Sequence, residues 1–243
     1  MSRFEMDRAR GSQDFQGDTL AVRLAQIAGV IFDMDGLLVD SEIIWHEIED
    51  QFFADRGVNY ANADRQMVIG MRVDEFMLTL KNHFGMSDTV ESMVTDLNAR
   101  MALAIPDRVQ PRPGARRLIA YLQENGVPMA VASNSSREII EVTIGAMGWL
   151  DTLPVRCTGD DEPAGKPAPD VYLTAARRLG VDPTRCLGLE DSPRGARAVV
   201  AAGMICGAVP DLTHTPAGAF TAITPHIFDS LDEVCDWLQE EAL

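Results

Sequence analysis

The segment Asp33-Met34-Asp35-Gly36 places two carboxylates one residue apart at the end of the apolar run Gly29-Val30-Ile31-Phe32. Side chains alternate along extended backbone, so Asp33 and Asp35 would share one side with Met34 opposite, and Gly36 permits a tight turn away. Two further apolar runs end in similar fashion: Pro128 to Ala132 stops at Ser133, and Cys186 to Leu189 stops at Glu190-Asp191. A polar residue after one strand is ordinary turn chemistry, but three such endings form a pattern. Brought together, Asp33, Asp35, Glu190 and Asp191 would repel and raise one another's pKa values unless a cation neutralised them. Neither Cys nor His accompanies the cluster, so an oxygen-ligated divalent ion, Mg²⁺, suits it better than zinc or copper.

Lysine usage is a second clue. Of the 21 basic residues, only Lys81 and Lys166 are lysines, and Lys166 sits between glycine and proline in Gly165-Lys166-Pro167. A compact ammonium on a flexible stem can bridge a phosphoryl oxygen and a carboxylate, which a planar guanidinium does less well. The flanking residues would fix the loop that aims it. The net charge of −16 speaks against nucleic acid as a partner, since backbone binding needs clustered Lys and Arg. The same field would repel a small phosphorylated metabolite, so a site for one needs local positive charge or a metal.

The elements that must position these groups read as a parallel sheet. Short continuous apolar runs ending in polar residues are the pattern of buried parallel strands. Helical patterns follow two of them, Arg137 to Met147 and Arg194 to Ala202, while Gly114 to Glu124 and Pro169 to Leu179 lead into strands. Met204 to Val209 and His226 to Phe228 offer two more short strands. Strand and helix in alternation imply an α/β fold, a Rossmann-like doubly wound parallel sheet, whose crevice lies beyond the carboxyl ends of the strands. Between Glu42 and Ile105 the apolar spacing is helical and no strand is evident, so an α-helical cap is expected as an insertion, with Asp107 to Pro113 as the return linker. The expected division is a polar lead-in over 1–24, a core from 25–41 and 108–243, and a cap over 42–107.

At 46% apolar content the chain can bury a full core. Charged residues interrupt every apolar run, so no membrane span is expected, and the N-terminus lacks the apolar stretch of a signal peptide. Cys157, Cys186, Cys206 and Cys235 are widely spaced, without metal-ligand or disulfide patterning, which suits a reducing cytoplasm. A monomer is expected.

In order along the chain, Asp33-Met34-Asp35-Gly36, Ser133 in Ala132-Ser133-Asn134, Lys166 in Gly165-Lys166-Pro167-Ala168-Pro169-Asp170, and Gly188-Leu189-Glu190-Asp191-Ser192 resemble the four motifs of the haloacid dehalogenase-like superfamily. The form of the last two and the early insertion resemble the branch of β-phosphoglucomutase and small sugar-phosphate phosphatases with a helical cap. The resemblance implies a Mg²⁺-dependent phosphatase in which Asp33 is the nucleophile and Asp35 the general acid and base. It implies that Asp33, the Asp35 backbone carbonyl and Asp191 hold the metal, with Glu190 in or beside the shell. Ser133, Asn134 and Lys166 would hold the phosphoryl oxygens. Dehalogenases of the superfamily are not expected to carry the second Asp of the first motif, so Asp35 favours phosphoryl transfer.

The rival is a mutase that returns the phosphoryl group to sugar. In that subfamily a hinge His and a cap-loop Arg recruit the sugar; here the His position falls on Trp45, beside His46, and the Arg position on Val73, beside Arg72. Phosphatase is the preferred reading, with Trp45 and Arg72 as candidate substrate-selecting cap residues. His46, His83, His214 and His226 have no motif context and are assigned to surface or packing, and Met67, Met71 and Met77 to packing. A binding module that keeps only the fold would be expected to lack Asp33, Asp35 or Asp191, and all three are present.

Overall fold

The computed structural model describes residues 26–210, 215 and 218–239; the lead-in expected over 1–24 and His214 lie outside them. Strand β1 (Gly29–Phe32) is buried throughout and forms the centre of a six-stranded sheet. The chain leaves β1 into a turn, with Gly36 at φ +80°, and the two-residue strand β2 (Val39–Asp40). Four helices follow: α1 (Glu42–Ala54), α2 (Asn62–Gln66), α3 (Val73–Phe84) and α4 (Val90–Arg108). Phe52, Phe53, Phe76, Met77, Leu80, Met93, Leu97 and Met101 fill the space between them. The spacing of these residues on each helix gives the apolar stripe that makes an amphipathic helix stable only once packed.

Strand β3 (Gln110–Pro111) then pairs antiparallel with β2, so the cap enters and leaves the core on adjacent strands. This differs from the expected linker: α4 continues through Pro106 to Arg108, and only the residues after it return to the core. Pro106 removes one helix donor, yet Ile105 and Val109 on either side are buried, and that packing holds the last turn.

The core continues as α5 (Ala115–Glu124), β4 (Met129–Ser133), α6 (Arg137–Ala146), β5 (Val155–Thr158), α7 (Asp170–Leu179), β6 (Cys186–Glu190), α8 (Pro193–Ala201), β7 (Ile205–Ala208), β8 (His226–Ile227) and α9 (Leu231–Gln239). The sheet order is β5-β4-β1-β6-β7-β8 and every pairing is parallel. The fold is therefore Rossmann-like α/β. Apolar residues of α5, α6 and α9 cover one face of the sheet with Val30, Phe32 and Val131. Val171, Tyr172, Ala175 and Ala176 of α7 and Ala196, Ala198 and Val199 of α8 cover the other with Ile31, Ala130 and Ala132. Strand β5 and helix α9 escape the sequence reading. Val155-Arg156-Cys157-Thr158 is short and interrupted by a charge, and its pairing with β4 makes it a strand.

From β1 the chain builds outward through β4 and β5, then returns to the other side of β1 for β6, β7 and β8. The strand order thus reverses around β1, and the ends of β1, β4 and β6 open onto one crevice.

Candidate active site

The crevice, of about 190 Å³, is lined at its core end by Asp33, Asp35, Ser133, Asn134, Lys166, Asp191 and Ser192. Register explains the convergence: Phe32 pairs with Val131 on one side and Leu189 on the other, so Asp33, the end of β4 and the end of β6 lie level.

Lys166 anchors the geometry. Its Nζ donates to Asp33 Oδ1 at 2.5 Å and to Glu190 Oε1 at 2.6 Å, and all three residues are buried. Burial alone would discharge the lysine, but Asp33 and Glu190 reverse this and hold its pKa above the ordinary range. Glu190 is saturated: Oε1 also accepts from Tyr172 at 2.7 Å, and Oε2 from Ser192 Oγ at 3.1 Å. Ser192 in turn caps α8, accepting from Gly195 N at 3.0 Å. A Cβ on Gly195 would lie 1.8 Å from Glu190 Oε1, so the carboxylate's seat depends on this glycine.

Asp33, Glu190 and Asp191 each bring a carboxylate oxygen within 4.8 Å of the others. Burial, opposed by Lys166 and assisted by Glu190 and Asp35, pushes the Asp33 carboxyl up to about 8. Burial and then Asp33 and Glu190 push Asp191 well above the usual carboxylate range. If all three carboxylates were ionised, Lys166 would balance only one, so without a cation the cluster retains protons instead. That donor set fits a hard divalent cation. Gly36 makes room for the Asp191 carboxylate: a Cβ there would stand 2.1 Å from Asp191 Oδ2.

Asp35 faces a different environment. Its Oδ1 accepts from Ser41 Oγ at 2.6 Å and Trp45 Nε1 at 3.3 Å, and its Oδ2 from Ser135 Oγ at 2.7 Å and Ser133 Oγ at 3.4 Å. These donors are all neutral, and the carboxylate does not belong to the cluster of Asp33, Glu190 and Asp191.

Asn134 and two arginines join cap to core. Asn134 Nδ2 donates to Gly70 O at 2.8 Å, while its Oδ1 accepts from Lys166 N at 3.1 Å. Arg194 donates to the Lys166 carbonyl and pairs with Glu75 at 3.2 Å. Arg72 does not line the crevice: its guanidinium is engaged by Asp74 at 2.6 Å and by the carbonyls of Gly159 and Glu162, both at 3.0 Å. The substrate contact expected of Arg72 is replaced by a contact between cap loop and core loop, because Gly159 and Gly165 leave no side chain in its path.

At the cap end the lining combines Glu42, Trp45, His46, Glu49 and Arg65 with the apolar Val68, Ile69, Met71, Val73 and Phe76. His46, assigned from sequence to surface or packing, lines the crevice. Glu49, Arg65, Ser135 and Tyr172 also reach the site; Ser135 follows a motif residue directly, but the other three carry no local sequence signal and meet the site only through tertiary packing.

A family model for haloacid dehalogenase-like hydrolases matches residues 27–203. The bifunctional riboflavin kinase/FMN phosphatase of Arabidopsis thaliana is 32% identical over 210 residues, which cover 86% of this chain and 53% of the relative, so the chain spans about half its length. Hexitol phosphatase B of Escherichia coli K12 is 34% identical over 188 residues, covering 76% of this chain and 84% of its own. Among solved structures, CbbY from Rhodobacter sphaeroides in complex with phosphate superposes at a TM-score of 0.79 with 26% identity, over 88% of this chain and 100% of that one. A mutant of the same protein was solved in complex with xylulose-(1,5)bisphosphate, with a TM-score of 0.77 and 26% identity over 85% and 96% of the two chains. The ordered strand-end motifs, the reversal of strand order at β1 and these matches converge: the chain belongs to the haloacid dehalogenase-like hydrolases.

Proposed function

We propose that the protein is a Mg²⁺-dependent phosphatase that hydrolyses a small phosphorylated metabolite, of the sugar-phosphate kind, through a phosphoryl group carried on Asp33. The observation that carries this reading is the division of labour between two carboxylates in one crevice. Asp33 is held against an ammonium and within a metal-suited cluster, whereas Asp35 is held by neutral donors alone. The phosphatases among its relatives support the same reaction class.

In this mechanism an Asp33 oxygen attacks phosphorus, and the bond to the leaving oxygen breaks as Asp35 donates its proton to that oxygen. Water then attacks the aspartyl-phosphate, Asp35 takes the water's proton, and inorganic phosphate leaves. Lys166, Ser133 and Asn134 orient the phosphoryl oxygens, and Glu190, with Tyr172, keeps Lys166 in place. Asp33, Asp191 and the Asp35 carbonyl would hold Mg²⁺, which supplies charge neutralisation for the phosphoryl group. The cap helices that line the crevice would limit the access of bulk water to the first step.

The mutase reading is weakened by Trp45, whose indole N–H points at Asp35 where that subfamily has an imidazole, and by the engagement of Arg72 with the core. A mutase must also hold a bisphosphate, such as the one bound by CbbY, which calls for a second cation at the cap end. The test is phosphate release from a panel of sugar, polyol and nucleoside monophosphates with Mg²⁺ and with a chelator. Undiminished turnover in the chelator, or in Asp33→Asn, overturns the mechanism. Conversion of β-glucose 1-phosphate to glucose 6-phosphate without net phosphate release restores the mutase.

A further inference from the structure

We infer that Arg194 is a positioning residue for Lys166: it holds the carbonyl of the lysine's own peptide unit, and Glu75 of the cap holds Arg194 in turn. The inference rests on the phosphatase reading, in which Lys166 orients the phosphoryl oxygens.

The side-chain end of Lys166 is fixed by charge. Its ammonium lies between Asp33 and Glu190 and 5.0 Å over the Tyr172 ring. An ammonium on a flexible four-carbon stem is placed only as well as its backbone, however, and residues 162–169 belong to no helix or strand. Two side chains hold that backbone instead. The Lys166 N–H donates to Asn134 Oδ1 at 3.1 Å, and the Lys166 carbonyl accepts from Arg194 Nε. Asn134 directly follows β4, and Arg194 stands in the first turn of α8, just after the end of β6. The loop that carries the lysine is thereby tied to the strands on either side of β1, the strand that delivers Asp33. Arg194 is not part of the crevice lining, so its action on the phosphoryl group passes through Lys166.

Both of these side chains are anchored a second time, on residues 70–75 of the cap. Asn134 Nδ2 donates to the Gly70 carbonyl at 2.8 Å, and Arg194 Nη2 pairs with Glu75 at 3.2 Å. The Arg194 stem runs beside Gly70, where an added Cβ would touch Arg194 Cδ at 3.4 Å. A guanidinium suits this double task because its planar fork offers Nε to the carbonyl while a terminal nitrogen serves the carboxylate. A lysine would have one nitrogen for both. The pair with Glu75 is partly exposed and contributes little by itself. Release of the Lys166 carbonyl matters more, since it loosens a loop whose ammonium must meet Asp33 and a phosphoryl oxygen together.

The chain has two lysines, which makes the test direct. Labelling with ¹⁵N-lysine gives two backbone amide signals, from Lys166 in the loop and from Lys81 near the end of α3, the helix that carries Glu75. In Arg194→Ala the Lys166 amide signal should move and exchange with solvent at least ~5-fold faster, the size of one lost hydrogen bond, while that of Lys81 is unchanged. Arg194→Lys, which keeps the charge without the fork, should show the same change in smaller measure. In p-nitrophenyl phosphate hydrolysis with Mg²⁺, Arg194→Ala should lower kcat about fivefold beside its rise in KM, whereas Glu75→Gln should raise KM and leave kcat within about twofold. An unmoved Lys166 amide in Arg194→Ala overturns the inference, as does a Lys81 amide that moves as far. So does a kcat loss in Glu75→Gln equal to that in Arg194→Ala, which would make the arginine a tether of the cap alone. A moved Lys166 amide in a protein whose wild type hydrolyses no p-nitrophenyl phosphate counts against the phosphatase reading alone.

Discussion

The two ends of the crevice are built by different physics. At the core end, side chains leave the ends of three hydrogen-bonded strands, and buried charges are matched one against another: Lys166 between Asp33 and Glu190, with Tyr172 and Ser192 completing Glu190. At the cap end the polar groups stand on one face of a helix and on the short helix α2, joined through Arg65 and backed by an aromatic core. An error of one residue at the core end would turn a carboxylate to the far side of the sheet, whereas a substitution at the α1 residues that line the crevice changes its lining without disturbing the strands. In the proposed function, chemistry is tied to the sheet and choice of substrate to the cap.

This contrast can be broken most directly at Asp33. Asp33→Asn should lower turnover by on the order of 10⁴-fold or more while leaving the thermal midpoint near or above that of the parent, as loss of a nucleophile does without loss of fold. Steady-state kinetics paired with a melting curve checks it, and retained activity would move the chemistry away from β1. Asp35→Asn should cost about 10²- to 10⁴-fold in kcat, the range for a general acid and base, with little change in Mg²⁺ affinity because this carboxylate stands apart from the metal-suited cluster. Mg²⁺ titration of the variant tests that separation.

Stability of the metal-free protein should fall as pH rises. Asp33 is raised from 3.8 to about 8 by burial, and Asp191 is raised as well, so over that interval the folded state holds protons that the unfolded state has lost. Their contribution is fullest below the unfolded pKa and is lost as pH climbs through the folded one. Mg²⁺ displaces those protons, so the upward shift in melting temperature on adding Mg²⁺ should be larger at pH 8 than at pH 6. A shift that is equal or smaller at pH 8 would mean the cluster does not hold the ion.

Tyr172→Phe removes one hydrogen bond to a buried carboxylate, about 1.5–3 kcal/mol when the group is charged. The expectation is a lower melting temperature together with a kcat reduced more than tenfold, since Lys166 loses its braced partner. Smallest of all, Arg194→Ala breaks a partly exposed pair with Glu75, of about 0–1 kcal/mol, and a contact to the Lys166 carbonyl. It should raise KM a few-fold and spare stability; an unchanged KM would show that the cap's placement over the crevice does not depend on this contact.

The core end was largely legible because strand-end chemistry is local. An apolar run followed by Asp, Ser or Glu-Asp announces both the strand and the group it delivers, and β1 and β6 appear where the runs predict them. Strand β5 escaped because Arg156 breaks its apolar run, and the last turn of α4 because Pro106 reads as a stop while the packing of Ile105 and Val109 carries it on. Arg72 was legible as a residue of the cap loop but not in its partners, which lie 87 and 90 positions away along the chain.

Sequence alone determined the alternating α/β order, the helical insertion after the first strand and the carboxylates, serine and lysine at the strand ends, since each of these follows from residues within a few positions of one another. The tertiary fold decided which charges answer which. Glu190 serves Lys166, Asp35 is given neutral donors, Arg72 clasps the core and Arg65 is spent on Glu49 and Asp50. A side chain's charge is written in its type, but its effective charge depends on burial and on partners that only a folded chain brings within hydrogen-bonding distance.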